Sequence, residues 1–467
     1  MFVPPGESPR KHHPTGESSR ARRAAIDIIR RLREAGHTAY FAGGCVRDEL
    51  LGMTPEDYDV ATDATPKRVT ELFRNTRIVG KSFGVVPVKL SGIVVEVATF
   101  RRESGYTDKR RPDVVEFCDD TGDARRRDFT INALFLDPLD TRTRPGGRII
   151  DHVGGVADLE ARLLRAVGDP DARLAEDHLR ALRAVRFTAR LGFTLDPATA
   201  AAVSRHAREL AGVSRERIGD ELRRMLAHPS RAVAVKLIEQ LGLDAPVLNE
   251  PAGGIPGENS SSLLNLLTGP IPFAAALGGW MLDRLARTQG VQGAALRPEA
   301  IKSHAPHLVA SLRKALVLSN AERDELSGML HGIPMLEQDW DAQPVAKQKR
   351  AASSGWFGPA LVLVRARSGA AAANVERRRD ELARSPGGLA PRPLVDGDAL
   401  IQAGLRPGKQ FGDWLYRVYD EQLEGRITTV REGVELVLGW AGKAPEGEPR
   451  PGGSSFGHPN QGPSGIM

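Results

Sequence analysis

A chain of 467 residues has room for roughly two to four compact units with their own cores. Apolar residues make up 41% and charged residues 27%, the balance of a soluble protein, and no run of about 18 apolar residues could cross a membrane. Lys and Arg outnumber Asp and Glu by 65 to 59, which suits a polyanionic partner without requiring one.

Cys45 and Cys118 are too few for a disulfide framework and point to a reducing cytoplasm. In chain order, residues 1–20 are rich in Pro, Gly, Ser and His and contain no apolar signal segment, so a disordered leader is expected. Ala25, Ile28, Ile29 and Leu32 recur at helical spacing as far as Gly36. Thr38 to Ala42 reads as a strand running into Gly43-Gly44. Arg47 to Leu51 opens a helix, Tyr58 to Ala61 is a second strand, and Lys67 to Phe73 a further helix. Val85 to Leu90 and Ile93 to Phe100 are β-branched runs parted by Ser91-Gly92, the pattern of a hairpin. These mixed elements predict an α+β palm over residues 21–150, a mixed sheet with helices.

Beyond Asp151 the strand signals fade, and Ala, Leu, Arg and Glu dominate. Helices are predicted over Leu174 to Leu191, Pro197 to Ala211 and Arg215 to Leu226, making an all-helical neck at 151–250. Breaks rich in Pro and Gly, at Pro251 to Gly257 and Ser385 to Pro393, bound a helical body (251–392) and a helical tail (393–443). Residues 444–467 are rich in Gly, Pro and Ser, and disorder is expected there.

The chemistry starts at Gly43-Gly44-Cys45-Val46-Arg47-Asp48, followed by Glu56-Asp57-Tyr58-Asp59-Val60. On an extended strand, residues i and i+2 face one side. Asp57 and Asp59 would therefore converge where two carboxylates are comfortable only beside a cation. A hard divalent ion such as Mg²⁺ takes oxygen ligands and bridges carboxylates to phosphates. Gly43 and Gly44 let backbone approach a phosphate, and Arg47 adds a charged fork. A glycine pair alone is usually a tight turn, and a lone Asp-x-Asp is weak; together they read as a centre for phosphoryl or nucleotidyl transfer. Glu96, which interrupts the run Val94 to Ala98, is either a third carboxylate or an exposed position on an edge strand.

Three arginines, Arg125 to Arg127, precede Asp128-Phe129-Thr130-Ile131-Asn132. Alone they would form a solvated face. On a helix drawn through Leu174 to Leu191, Leu179, Leu182, Val185 and Ala189 face the core. Asp177, Arg180 and Arg183 occupy the opposite half, with Arg186 at the border. Asp177 and Arg180 form either an ordinary i,i+3 ion pair or an acceptor–donor edge for a base.

Taken in order, these segments resemble the class II template-independent RNA nucleotidyltransferases, which include tRNA CCA-adding enzymes and bacterial poly(A) polymerases. GGCVRD with EDYDVATDATP is similar to that family's first motif, and RRDFTINAL to its second. EDHLR through Arg183, Arg186 and Phe187 resembles its nucleotide-selecting helix, and ERIGDEL a later helical motif. The resemblance is dense from Ala21 to Leu226 and returns weakly from Pro393 to Trp440.

It implies metal-dependent addition of nucleotides from CTP and ATP to RNA 3′ ends, with the tRNA CCA terminus favoured. Poly(A) polymerase, or a CC-adding or A-adding partner enzyme, are the alternatives. It further implies Asp57 and Asp59 as Mg²⁺ ligands, two ions about 4 Å apart binding the attacking and leaving oxygens. Arg127 and Asn132 become nucleotide contacts, Asp128 a group that orients an arginine, and Asp177 with Arg180 a stand-in for a template. The stretch Thr99 to Arg125 resembles the family's flexible loop that governs the switch from C to A; by charge alone it could be a phosphate-binding rim. Arg215, Arg217, Arg223 and Arg224 extend the basic surface, where RNA backbone contacts would be salt-sensitive. Cys118, His12, His13 and His152 have no metal-ligand spacing. No His–Asp pair in the C-terminal half suggests a phosphohydrolase.

Overall fold

A computed structural model describes residues 16–73, 84–104, 114–250 and 262–442. The chain forms two compact units, one of Met1–Glu337 with Gly358–Gly369 and one of Gln338–Phe357 with Ala370–Met467.

The first unit opens on α1 (Gly16–Glu34), which buries Ala25, Ile28, Ile29 and Leu32 on one face. This corrects the expected leader: the helix starts at Gly16, because Ser18 Oγ donates to the Pro55 carbonyl at 3.2 Å and Arg22 pairs with Glu49 at 2.7 Å. Residues 1–15 lie outside the described residues. There follow β1 (Ala39–Ala42), α2 (Gly44–Leu50), β2 (Val60–Thr62), α3 (Pro66–Leu72), β3 (Val85–Leu90) and β4 (Ile93–Thr99). Next come β5 (Arg101–Ser104), β6 (Val114–Phe117), α4 (Asp120–Arg125), β7 (Phe135–Asp137) and β8 (Arg148–Ile150).

Six strands make one mixed sheet in the order β3-β4-β2-β1-β7-β8, with β2 and β4 parallel. Ser91 and Gly92 join β3 to β4 with φ of 51° and 82°, the left-handed pair that matches a hairpin to the twist of its strands. Val95 and Val97 pack with Phe41, Val60 and the apolar face of α1. Period-2 alternation sends Glu96 to the other side of β4. β5 and β6 pair antiparallel, and residues 105–113 of the expected flexible loop lie outside the described residues.

Two expected elements are shifted. β2 starts at Val60, so Asp57 and Asp59 stand on the extended approach to the strand rather than within it. The ladder nevertheless reaches back to them, since the Ala42 N–H donates to the Asp59 carbonyl at 3.1 Å.

The second shift lies in the neck, which comprises α5 (Gly155–Glu160), β9 (Leu163–Leu164), α6 (Pro170–Glu176), α7 (Arg180–Leu191), β10 (Thr194–Leu195), α8 (Pro197–Arg205), α9 (Arg215–Ala227) and α10 (Arg231–Gln240). The single helix expected over Leu174 to Leu191 breaks at Asp177, whose φ is −151°. Its Oδ1 accepts the Leu179 N–H at 3.1 Å, a local side-chain bond that competes with helix continuation and restarts it as α7. Likewise α8 ends at Arg205, and Ala207–Gly212 tightens into a 3₁₀ turn.

The rest of the first unit is helical: α11 (Asp244–Leu248), α12 (Ser262–Leu266), α13 (Phe273–Thr288), α14 (Pro298–Leu316) and α15 (Asn320–Pro334). The expected break at Pro251 to Gly257 lies outside the described residues. After α16 (Val345–Ala352) in the second unit, α17 (Phe357–Arg367) returns to the first. α18 (Gly369–Arg384), α19 (Gly397–Gln402), α20 (Gln410–Leu423) and α21 (Val430–Gly442) complete the second, around Val395, Leu400, Val418, Ile427 and Val437. Residues 443–467 lie outside the described residues. An α+β head followed by a largely helical part is thus the architecture; the neck is not all-helical as expected, because β9 and β10 pair in parallel within it. Among the described residues, no helix is long and apolar enough to cross a membrane.

Candidate active site

A cleft of about 770 Å³ lies within the first unit, lined from the head by the 43–48 turn, residues 56–59, Glu96 and residues 126–132, and from the neck by α7, α9 and the link before α7. It brings together every residue expected at the site: Gly43, Gly44, Arg47, Asp57, Asp59, Glu96, Arg127, Asn132, Asp177, Arg180, Arg183 and Arg186.

On the head side three carboxylates crowd together. Burial pushes the Asp59 carboxyl up to about 7, the negative charges of Asp57 and Glu96 push the same way, and Arg127 pulls weakly against them. β4 runs between β3 and β2, so Glu96 is not on an edge strand. An all-oxygen donor set whose ionisation is opposed by its own members fits a hard divalent cation, which would relieve that repulsion.

A proton and such a cation compete for Asp59, so divalent-cation affinity is expected to rise roughly tenfold from about pH 6 to about pH 8. Calorimetric Mg²⁺ titrations at the two pH values check this, and Asp59→Asn should flatten the dependence. Without a cation the sign for stability is opposite. A carboxyl raised above its unfolded value stabilises the folded chain at low pH, and that contribution fades as pH rises through about 7.

Beside the carboxylates runs a hydrogen-bonded chain of arginines and their partners. Gly43 caps α2 with φ 74°, the left-handed conformation that favours glycine, and a Cβ there would push on Arg127 Nη1, 2.8 Å away. Arg47 Nη1 donates to Asn132 Oδ1 at 2.6 Å, and Asn132 Nδ2 to Asp128 Oδ1 at 3.2 Å. Asp128 Oδ2 accepts Arg183 Nη2 at 2.6 Å, so the chain crosses from head to neck. Burial alone would raise Asp128, but Arg183 overrides it and holds the carboxyl near 2. Asp128 thus orients an arginine. Arg126 and Arg127 do not form a solvated face: both pair with buried Asp123, at 2.6 and 3.0 Å.

On the neck side, Asp177 and Arg180 do not pair with each other. Asp177 accepts Arg217 at 2.7 Å, while Arg180 bonds Glu176 and donates to the Arg173 carbonyl at 2.7 Å. The i,i+3 ion-pair alternative therefore falls: a backbone turn joins the two, Arg180 N–H donating to the Asp177 carbonyl at 3.0 Å, but their side chains go to Arg217 and Glu176. Arg186, expected at the helix border, is buried and bonded to Glu221 at 2.6 Å. Arg47, Arg183 and Arg186 all stack on the Phe187 ring, with guanidinium carbons 5.2, 5.4 and 4.3 Å from its centroid.

Asp123, which aims Arg126 and Arg127, was not singled out in the sequence, and Glu221, which aims Arg186, stood there only within ERIGDEL with no partner assigned. Asp123 could have been found from its i+3 and i+4 spacing to Arg126 and Arg127. Nothing local signals Glu221, which meets its partner across 35 positions. Arg217, expected on the basic surface that meets RNA backbone, holds Asp177.

The head matches the family model described as the Poly A polymerase head domain over residues 39–165. Residues 192–252 match that of the probable RNA and SrmB-binding site of polymerase A. A CCA-adding enzyme of Limosilactobacillus fermentum is 33% identical over 412 residues, covering 86% of this chain and 93% of that protein. The chain belongs to the CCA-adding enzyme family. A second member, from Lactobacillus johnsonii, is 44% identical over 225 residues, 48% of this chain; the chain spans about half of that relative's length, 55%. Among solved structures, the Bacillus stearothermophilus CCA-adding enzyme in complex with CTP is similar with a TM-score of 0.64 and 28% identity, covering 90% of this chain and 97% of that one.

Proposed function

We propose that this chain is a tRNA nucleotidyltransferase that builds the CCA terminus from CTP and ATP, with Mg²⁺ at Asp57 and Asp59, in a reducing cytoplasm. What carries the reading is the meeting in one cleft of a carboxylate cluster and an Asp–Arg pair free of each other, on a chain of the CCA-adding family.

In the reaction an RNA 3′-hydroxyl forms a bond to the α-phosphorus of the triphosphate, and pyrophosphate leaves. When bound, Mg²⁺ would supply Lewis-acid stabilisation of the phosphate charge. Asp57 and Asp59 would hold it, and Glu96 would complete the anionic set. Arg47 and Arg127, fixed by Asn132 and Asp123, offer forks to the triphosphate. Asn132 contacts the ribose. Asp177, held by Arg217, offers an acceptor to the base edge and Arg180, held by Glu176, a donor. Arg183 keeps α7 in register with the head through Asp128, and Arg186 ties α7 to α9 within the neck through Glu221.

The test gives purified chain a tRNA lacking its last three nucleotides. Growth by two residues with CTP alone and by three with CTP and ATP is expected. Unlimited growth with ATP alone would make it a poly(A) polymerase, and arrest after two with both substrates a CC-adding enzyme.

A further inference from the structure

His178 sits between Asp177 and Leu179 in the link from α6 to α7, yet it is 2% exposed and outside the lining of the cleft. Its Nδ1 lies 3.1 Å from Glu209 Oε2, and the Nδ1 of His206 lies 2.7 Å from the same oxygen. The two rings stack with centroids 6.1 Å apart and planes 25° from parallel. Two imidazole nitrogens and a carboxylate oxygen therefore gather within 4.8 Å of one another. The far nitrogen of His206, Nε2, faces Asp171 Oδ1 at 3.1 Å, and Arg205 fixes Asp171 through bonds of 3.0 and 2.6 Å. A carboxylate on the outer nitrogen is what fixes the tautomer and ring orientation of a metal-bound histidine.

We propose that His178, His206 and Glu209 form a binding site for a transition-metal dication, Zn²⁺ fitting best, separate from the Mg²⁺ site in the cleft. Two imidazoles and one carboxylate suit zinc, whereas Mg²⁺ prefers oxygen ligands. With metal–ligand bonds of about 2.0–2.2 Å, tetrahedral donors stand roughly 3.4 Å apart. The 3.1 Å and 2.7 Å contacts to Glu209 would open by about 0.3 and about 0.7 Å to admit an ion, a rotamer-scale adjustment at a partly exposed carboxylate. Three protein ligands leave a fourth position for water. An ion here ties the 3₁₀ turn after α8 to the link that carries Asp177 and Arg180 on either side of His178.

The test uses the full chain, stripped with chelator and without nucleotide. Calorimetry should find one Zn²⁺ per chain, with affinity at least tenfold weaker in His206→Gln and Glu209→Gln and unchanged in Asp57→Asn. Excess Mg²⁺ should not displace it. Co²⁺ should give a visible absorption band in the wild-type chain that both variants lack. His178→Ala is avoided because the ring is buried. Should either remaining variant misfold by circular dichroism, the ring-nitrogen NMR signals of the wild-type chain decide: Zn²⁺ should move those of two histidines. No binding, binding unaltered in both folded variants, loss in Asp57→Asn, or unmoved histidine signals would overturn the site.

Discussion

Asp57→Asn and Asp59→Asn are each expected to lower nucleotide addition by roughly 10³-fold or more, while the chain stays folded. Asparagine keeps the shape of the side chain but removes the charge that holds the cation. For Asp59 the two readouts move in opposite directions. Burial and its acidic neighbours already oppose its ionisation, so a neutral residue there relieves repulsion in the metal-free chain. Above about pH 7 and without divalent cation, Asp59→Asn is therefore expected to melt no lower than the parent, even as single-turnover rates collapse. A variant that loses stability and activity in parallel would mark Asp59 as a structural group.

Arg180→Ala and Asp177→Ala are expected to relax base choice more than they slow the reaction. Each removes one half of a donor–acceptor edge. A well-made bidentate edge contact is worth about 1–3 kcal/mol of discrimination, so preference for CTP and ATP over UTP and GTP should fall by roughly 5-fold to 150-fold. Arg217→Ala should act in the same direction at one remove, because Arg217 holds the Asp177 carboxylate by two bonds of 3.2 and 2.7 Å. The ratios of kcat/KM for the four triphosphates, measured on one tRNA, check this. Equal losses with every nucleotide would mean that these side chains support the neck rather than read the base.

The break at Asp177 shows where reading the sequence stopped working. The apolar spacing of α1, the β-branched runs of β3 and β4, and the buried positions Leu179, Leu182, Val185 and Ala189 were legible because neighbouring residues decide them. The same apolar rhythm continues through Asp177 and predicts one unbroken helix. There a side-chain bond to the Leu179 N–H and the pull of Arg217, 40 positions away, prevail over periodicity. The site residues were legible as motifs, but their partners were not. Asp128 meets Arg183 across 55 positions, and Arg186 meets Glu221 inside the neck, distances in sequence at which spacing carries no signal. For Glu96 the strand order removes the edge-strand expectation, while the side chain is exposed and lines the cleft. The histidines at 178 and 206 likewise gain meaning only when the turn after α8 folds them onto Glu209.

Soaking crystals of the chain with Mn²⁺ and CTP, and mapping the anomalous signal, tests the account most directly. A Mn²⁺ peak between the carboxylates of Asp57 and Asp59, with the triphosphate against it and the cytosine edge toward Asp177 and Arg180, is the predicted result. Bound CTP with no manganese at those two aspartates would contradict it.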